Sequence, residues 1–151
     1  MRAAVAADVL GHSVPHRPCG SGATAKLIVN LVLGLNRAVL AEGLSLARSC
    51  GVDLTQMLAI LQSGAAYSRA MDTKGPKMLS GDFTPQARLD QHWKDVRLIL
   101  ELGRQQGATL PLSQVHHELL ERASAMGFGA SDNSAVIRAF DVAIPASAAT
   151  R

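Results

Sequence analysis

Lys26 and Asn30 stand four residues apart in an otherwise apolar run, with Leu27-Ile28-Val29 between them and Leu31-Val32-Leu33 following. On a helix that spacing puts both side chains on one face, about 5–6 Å apart at Cβ. An amine in such a run is poorly hydrated, which disfavours its charged form, and the positive end of a helix dipole pushes the same way. Both effects draw a lysine toward neutrality, where it can act as a general acid or base. Asn30 offers a donor and an acceptor to orient a substrate hydroxyl or carboxylate. The same residues also fit a snorkelling lysine and a buried asparagine bonded to a neighbouring backbone, and taken alone the pair leans to that structural reading.

Immediately upstream, Gly20-Ser21-Gly22-Ala23-Thr24-Ala25 formally fits G-x-G-x-x-[GA]. A dinucleotide fingerprint needs a strand feeding the turn and an acidic residue after the next strand. Val14-Pro15-His16-Arg17-Pro18-Cys19 suits no parallel strand, and Glu42 falls inside the same helical run. The glycines therefore read as a turn at a helix start, whose free N–H groups can receive an anionic group. His116 and His117 are adjacent and point about 100° apart on a helix, so no metal site is expected there or at His92. Cys19 has no base beside it and reads as an inert thiol. Tyr67 and Ser68 read as packing and capping residues. Lys94 has Asp90 four residues before it, the favourable order for a surface ion pair.

Helices must position these groups. Residues 1–22, with Pro15, Pro18 and several glycines, read as an irregular lead-in. Ala23 to Ser49 lacks proline and reads as one helix about 40 Å long, closed by Gly51. Its first half is apolar nearly all round, so it is expected to be buried, in the centre of a bundle or between subunits. Asp53 is the predicted N-cap of a helix over Leu54–Gln62. Gly75-Pro76 is expected to break the stretch Ala65–Leu79. Thr84, with Pro85 after it, is expected to cap the next helix, which carries Leu89, Trp93, Val96 and Leu100 on one stripe and ends near Gly107. Pro111 opens a helix to about Ala125. Ser131 or Asp132 caps a last one, Ser134–Val142, and 143–151 reads as a frayed tail.

The sum is an all-α helical bundle around one long central helix, with a helical domain over 23–142. Composition agrees: the 151 residues are 48% hydrophobic but only 3% aromatic, with alanine and leucine dominant. A net charge of +3 without a basic run argues against a nucleic-acid partner. Two cysteines make no disulfide framework, so a reducing cytoplasm is the expected setting. The apolar stretch Leu27–Leu35 is far short of the roughly 20 residues a bilayer needs, and Ala3–Leu10, broken by Asp8, does not read as a signal peptide.

Read together, the string from Gly20 to Asn30 resembles the G-x-G-x-x-x-K-x-x-x-N signature of the β-hydroxyacid dehydrogenases. This is the family of 3-hydroxyisobutyrate dehydrogenase and 2-hydroxy-3-oxopropionate reductase, related to 6-phosphogluconate dehydrogenase. Ala41-Glu42-Gly43-Leu44-Ser45-Leu46-Ala47, Ser80-Gly81-Asp82-Phe83-Thr84-Pro85, Lys94-Asp95-Val96-Arg97-Leu98, Leu110-Pro111-Leu112 and Asp132-Asn133-Ser134-Ala135 resemble further stretches of it in the same order. The resemblance spans residues 19–140 and is to the all-α C-terminal catalytic and dimerisation domain only. It implies an oxidoreductase acting on a small 3-hydroxy acid or its semialdehyde. Lys26 would be the catalytic acid/base, Asn30 a substrate-holding residue, Gly20 and Gly22 the loop shaping the substrate pocket, and Lys94 a residue near the cofactor. NAD or NADP would enter only with a Rossmann domain supplied elsewhere, so the chain by itself is not expected to be active. A homodimer is the implied assembly. The alternative is a non-catalytic helical dimerisation or interaction module.

Overall fold

The computed structural model describes residues 20–141. Cys19, most of the lead-in and the expected tail lie outside the described residues. Five α-helices follow in order: α1 (Ser21–Ser49), α2 (Leu54–Ser63), α3 (Arg69–Ser80), α4 (Leu89–Gln106) and α5 (Pro111–Ala123). A wide π-type turn, Ser124–Phe128, and a 3-10 helix, Asn133–Phe140, complete the chain. No strand occurs among the described residues, only one isolated bridge between Arg88 and Asp132. The architecture is an all-α bundle around one long helix, because α1 touches α2, α3, α4, α5 and the 3-10 helix.

Several boundaries follow local chemistry. Gly51, at φ 71°, turns the chain left-handed after α1, so that Val52 N–H reaches back to Ala47 O at 2.9 Å. The Asp53 carboxylate accepts from Gln56 N at 2.8 Å and starts α2, as its type and position predict. The core joins Leu40, Ala41 and Leu44 of α1 to Leu58, Met71, Met78, Leu89, Val96 and Leu120 of the surrounding helices. Each such side chain contributes about 1.5–3 kcal/mol on burial. The predicted stripe on α4 faces this core, with Leu89 and Val96 buried and Trp93 and Leu100 packed at its edge.

Four expectations change. First, α3 runs through Gly75-Pro76 instead of breaking there. Gly75 has no Cβ to meet the proline ring, which removes part of the usual clash. Its bare Cα also seats Leu58, since a Cβ would lie 2.7 Å from Leu58 Cδ1. Second, α4 begins at Leu89 and not beside Thr84-Pro85. Thr84 is turned instead by Asp82, whose carboxylate accepts from both its N–H and its hydroxyl. The N–H groups of Gln86 and Ala87 are drawn to Asp132, 45 or more residues away. Third, the last helix is 3-10 rather than α and ends at Phe140.

The fourth concerns the first half of α1, which the described residues do not enclose, so it does not lie at the centre of this bundle. Ile28, Val29, Val32 and Leu33 are all exposed. By length and composition α1 could cross a membrane, but the core helix of a bundle meets the same test, and the second half of α1 forms that core.

Candidate functional site

The turn at Gly20 starts α1 without a side-chain cap. Gly20 has φ 109°, and its carbonyl accepts the first helical bond from Thr24 N at 3.0 Å. Gly20 and Gly22 are exposed, with open space where a Cβ would stand. Lys26 is exposed one turn into the helix, so the dry environment predicted from its apolar neighbours is not made by the described residues. The reason is geometric: Ile28, Val29, Val32 and Leu33 point outward, while Leu27 and Leu31 turn toward α4 and away from the amine.

Asn30 is half-buried and is tied to α4. Its Nδ2 donates to Asp95 Oδ2 at 3.1 Å. This bond joins two stretches that are 65 residues apart in the chain, the Lys26/Asn30 turn and the Lys94-Asp95 turn. Lys94 itself is exposed. Its expected ion pair with Asp90 is not formed, because Asp90 accepts from Ser124 Oγ at 2.7 Å and packs against Gly129. Asn30 and Asp95 therefore meet directly, while Lys26 and Lys94 each lie within a turn of that contact. Gly20 and Gly22 lie a turn or more further out, at the helix start.

Below Asn30 the same face of α1 continues into a cavity of about 230 Å³. Arg37, His92, Asp95 and Asn133 line it with Asn30. Arg37 and His92 carry no role in the sequence reading. The missed signal was Arg37's place seven residues after Asn30, two turns along one helix face, inside an apolar run. His92 packs against His116 with ring centroids 5.2 Å apart and the rings tilted by 45°. Gly34 makes room for the pair, since a Cβ there would overlap His92 Nε2 and lie 2.6 Å from His116 Cε1. Burial, helped by the Arg37 charge and then by the neighbouring imidazole, pulls His92 down to about 2. Burial first, then Arg37 and His117, pulls His116 down to about 4. Both rings are therefore neutral at pH 7. No group of three or more metal-ligating side chains occurs among the described residues.

Asp132 locks the floor of the site. It accepts from Lys74 Nζ at 3.0 Å through both oxygens, from Gln86 and Ala87 N, and from Ser134 N and Oγ. Burial works against its charge, but those hydrogen bonds outweigh it and hold the carboxyl well below the usual range. The clamp fixes Asn133 at the cavity edge. Backbone bonds from Asn133 N to Ala87 O and from Leu89 N to Ser131 O extend the same seam.

A sequence profile described as the NAD-binding domain of NADP-dependent 3-hydroxyisobutyrate dehydrogenase matches residues 20–140. The chain belongs to this family. It is 36% identical over 136 residues to 2-(hydroxymethyl)glutarate dehydrogenase of Eubacterium barkeri, covering 89% of this chain and 45% of that protein. It is 37% identical to glyoxylate/succinic semialdehyde reductase 1 of Arabidopsis thaliana, covering 87% of this chain and 46% of the relative. The crystal structure of a 3-hydroxyisobutyrate dehydrogenase from Salmonella typhimurium superposes with a TM-score of 0.76 at 31% identity, covering 79% of this chain and 42% of the other. The chain thus spans less than half the length of these members, and its match to the profile opens at Gly20.

Proposed function

We propose that this chain supplies the C-terminal catalytic and dimerisation half of an NAD(P)-dependent β-hydroxyacid dehydrogenase. The observation that carries the reading is the Asn30–Asp95 hydrogen bond, which draws the Lys26 turn of α1 and the Lys94 turn of α4 together at one exposed edge. NAD or NADP, held by a Rossmann domain covering that edge, would supply or accept the hydride. Lys26 Nζ would donate a proton to the carbonyl oxygen during reduction and take it back from the hydroxyl during oxidation. Asn30, its amide oriented by Asp95, would hold the substrate oxygen. Lys94 would approach the cofactor, and Gly20 and Gly22 would let the covering domain come close. Covering also supplies the desolvation that Lys26 lacks here, which would make the amine a better acid at neutral pH.

The outer face of α1 supports a homodimer. Ile28, Val32, Val39 and Leu46 follow one another at spacings of 4, 7 and 7 and are 50–66% exposed, an apolar stripe along the whole helix. Sedimentation should give a dimer, and Val32→Glu with Val39→Glu should give a monomer.

Mixing the chain with a family Rossmann domain and NADPH or NADH should produce reduction of a small semialdehyde acid. Lys26→Ala should lower that rate by about 10²–10⁴, the usual worth of a positioned acid. Full activity in Lys26→Ala would remove its role. A dimer that is inert in every mixture would leave a non-catalytic interaction module.

A further inference from the structure

Arg37 is a buried cation without a counter-ion. Only 9% of it is exposed, and among the described residues it makes no salt bridge and no side-chain hydrogen bond. Asp132 attracts it from a distance, but that carboxylate is already occupied by Lys74, Ser134, Gln86 and Ala87. Burial lowers Arg37 only to about 10, so it stays charged at neutral pH. None of its nitrogens is among the fully buried atoms that lack a partner, so the guanidinium opens onto the cavity, where a charge largely withdrawn from bulk water gains from a partner.

Two side chains that line the same cavity each hold a buried atom without a partner. His92 Nε2 and Asn133 Oδ1 are buried without a hydrogen-bond partner. Their residues are 7% and 4% exposed. The cavity's 230 Å³ is nearly eight times the share of one water, at roughly 30 Å³ each, which is room for a small organic acid. A planar guanidinium with no protein partner matches a carboxylate, which it can hold through two parallel bonds. Asp95 shares the cavity and would repel an anion placed against it, but it is bonded to Asn30 and makes no ion pair with Arg37.

We propose that this cavity receives the far carboxylate of a dicarboxylic hydroxy acid, with Arg37 as the specificity-determining residue. The assignment rests on the reading of Lys26 and Asn30 as the reacting end. Seven residues separate Asn30 from Arg37, about 10 Å along the axis. Helical side chains lean toward the N-terminus, so the long Arg37 side chain reaches back toward Asn30 and shortens the gap to one a short diacid can bridge. A monocarboxylic acid anchored at the Asn30 end would leave the guanidinium unpaired.

The test is direct binding to the full chain, without cofactor, followed by NMR and calorimetry. The probes are 3-hydroxyglutarate and its monocarboxylate counterpart 3-hydroxybutyrate. The diacid should bind at least tenfold more tightly and shift the Arg37 Nε–H and His92 ring signals. Arg37→Met should reduce it to the level of the monoacid while leaving the unliganded chain at least as stable, because an apolar side chain of similar length replaces an unpaired buried charge. Equal affinity for the two acids, unchanged diacid binding in Arg37→Met, or marked destabilisation by that substitution would each overturn the proposal. So would pairing of Arg37 with a carboxylate of a second copy when neither acid binds. Arg37-dependent diacid binding in a chain that stays inert with a Rossmann domain would sink the catalytic reading and leave this site standing. An active mixture in which Arg37→Met changes neither acid's KM would do the reverse.

Discussion

Replacing Asp132 by asparagine should be the most destabilising single polar change in this domain. The carboxylate is fully buried and receives six hydrogen bonds from four residues, Lys74, Gln86, Ala87 and Ser134. Asparagine keeps one acceptor oxygen and turns the other position into a donor. Whichever way the amide faces, it meets three donors and leaves the Lys74 ammonium, itself 8% exposed, without a counter-charge. Losing one partner of a buried ion pair costs about 3–5 kcal/mol. For a domain of this size that is a fall in Tm of roughly 10–20 °C. Lys74→Met should cost less, because Asp132 then keeps its bonds from Gln86, Ala87 and Ser134. Because the folded carboxyl sits below its unfolded value, its contribution is present above about pH 4 and is lost as pH falls through the folded value. The acid limb of the stability curve should therefore flatten in Asp132→Asn. Urea unfolding of the three proteins from pH 7 down to about pH 2 reads all of this. A loss below about 1 kcal/mol in Asp132→Asn, or a larger loss in Lys74→Met, would refute the clamp argument.

Two further perturbations address the α1–α4–α5 contact. His92 and His116 are neutral when folded but take up protons near pH 6.5 when unfolded, so the unfolded chain binds more protons and stability falls as pH drops below that point. Between pH 7 and pH 5 the loss should be on the order of 2 kcal/mol for each histidine, and His116→Leu should shrink the slope by about half; denaturant midpoints at the two pH values check it. Gly34→Ala gains about 1 kcal/mol of helix propensity but drives a Cβ into both imidazoles, an overpacking cost of about 1–3 kcal/mol. The net expectation is destabilisation, measured as a lower Tm, together with a disturbed His92 signal.

The helices of this domain could be read from local chemistry because their signals are short-range. Asp53 beside Leu54, Gly51 after Ser49 and the Leu89–Trp93–Val96–Leu100 stripe each act over a turn or two of chain, and each forms as its residues dictate. The order of the family motifs, from Gly20 through Asp132-Asn133-Ser134-Ala135, was likewise present in the residues alone. Where local rules pointed elsewhere, a distant partner had outbid them. Thr84 and Pro85 have the types that start a helix, yet Asp132 captures the N–H groups just after them. Gly75-Pro76 has the type that ends one, yet Leu58 packs into the space and the helix continues. The site divides the same way. Lys26 and Asn30 were visible because one helical turn relates them, whereas only the packing of α4 on α1 could set Asp95 against Asn30. Packing alone, too, could set Arg37 on a cavity without a counter-charge or tilt His92 against His116. Solvent exposure is a property of the whole assembly of helices, and this is why Lys26, surrounded by apolar neighbours in the chain, stands in water in the fold.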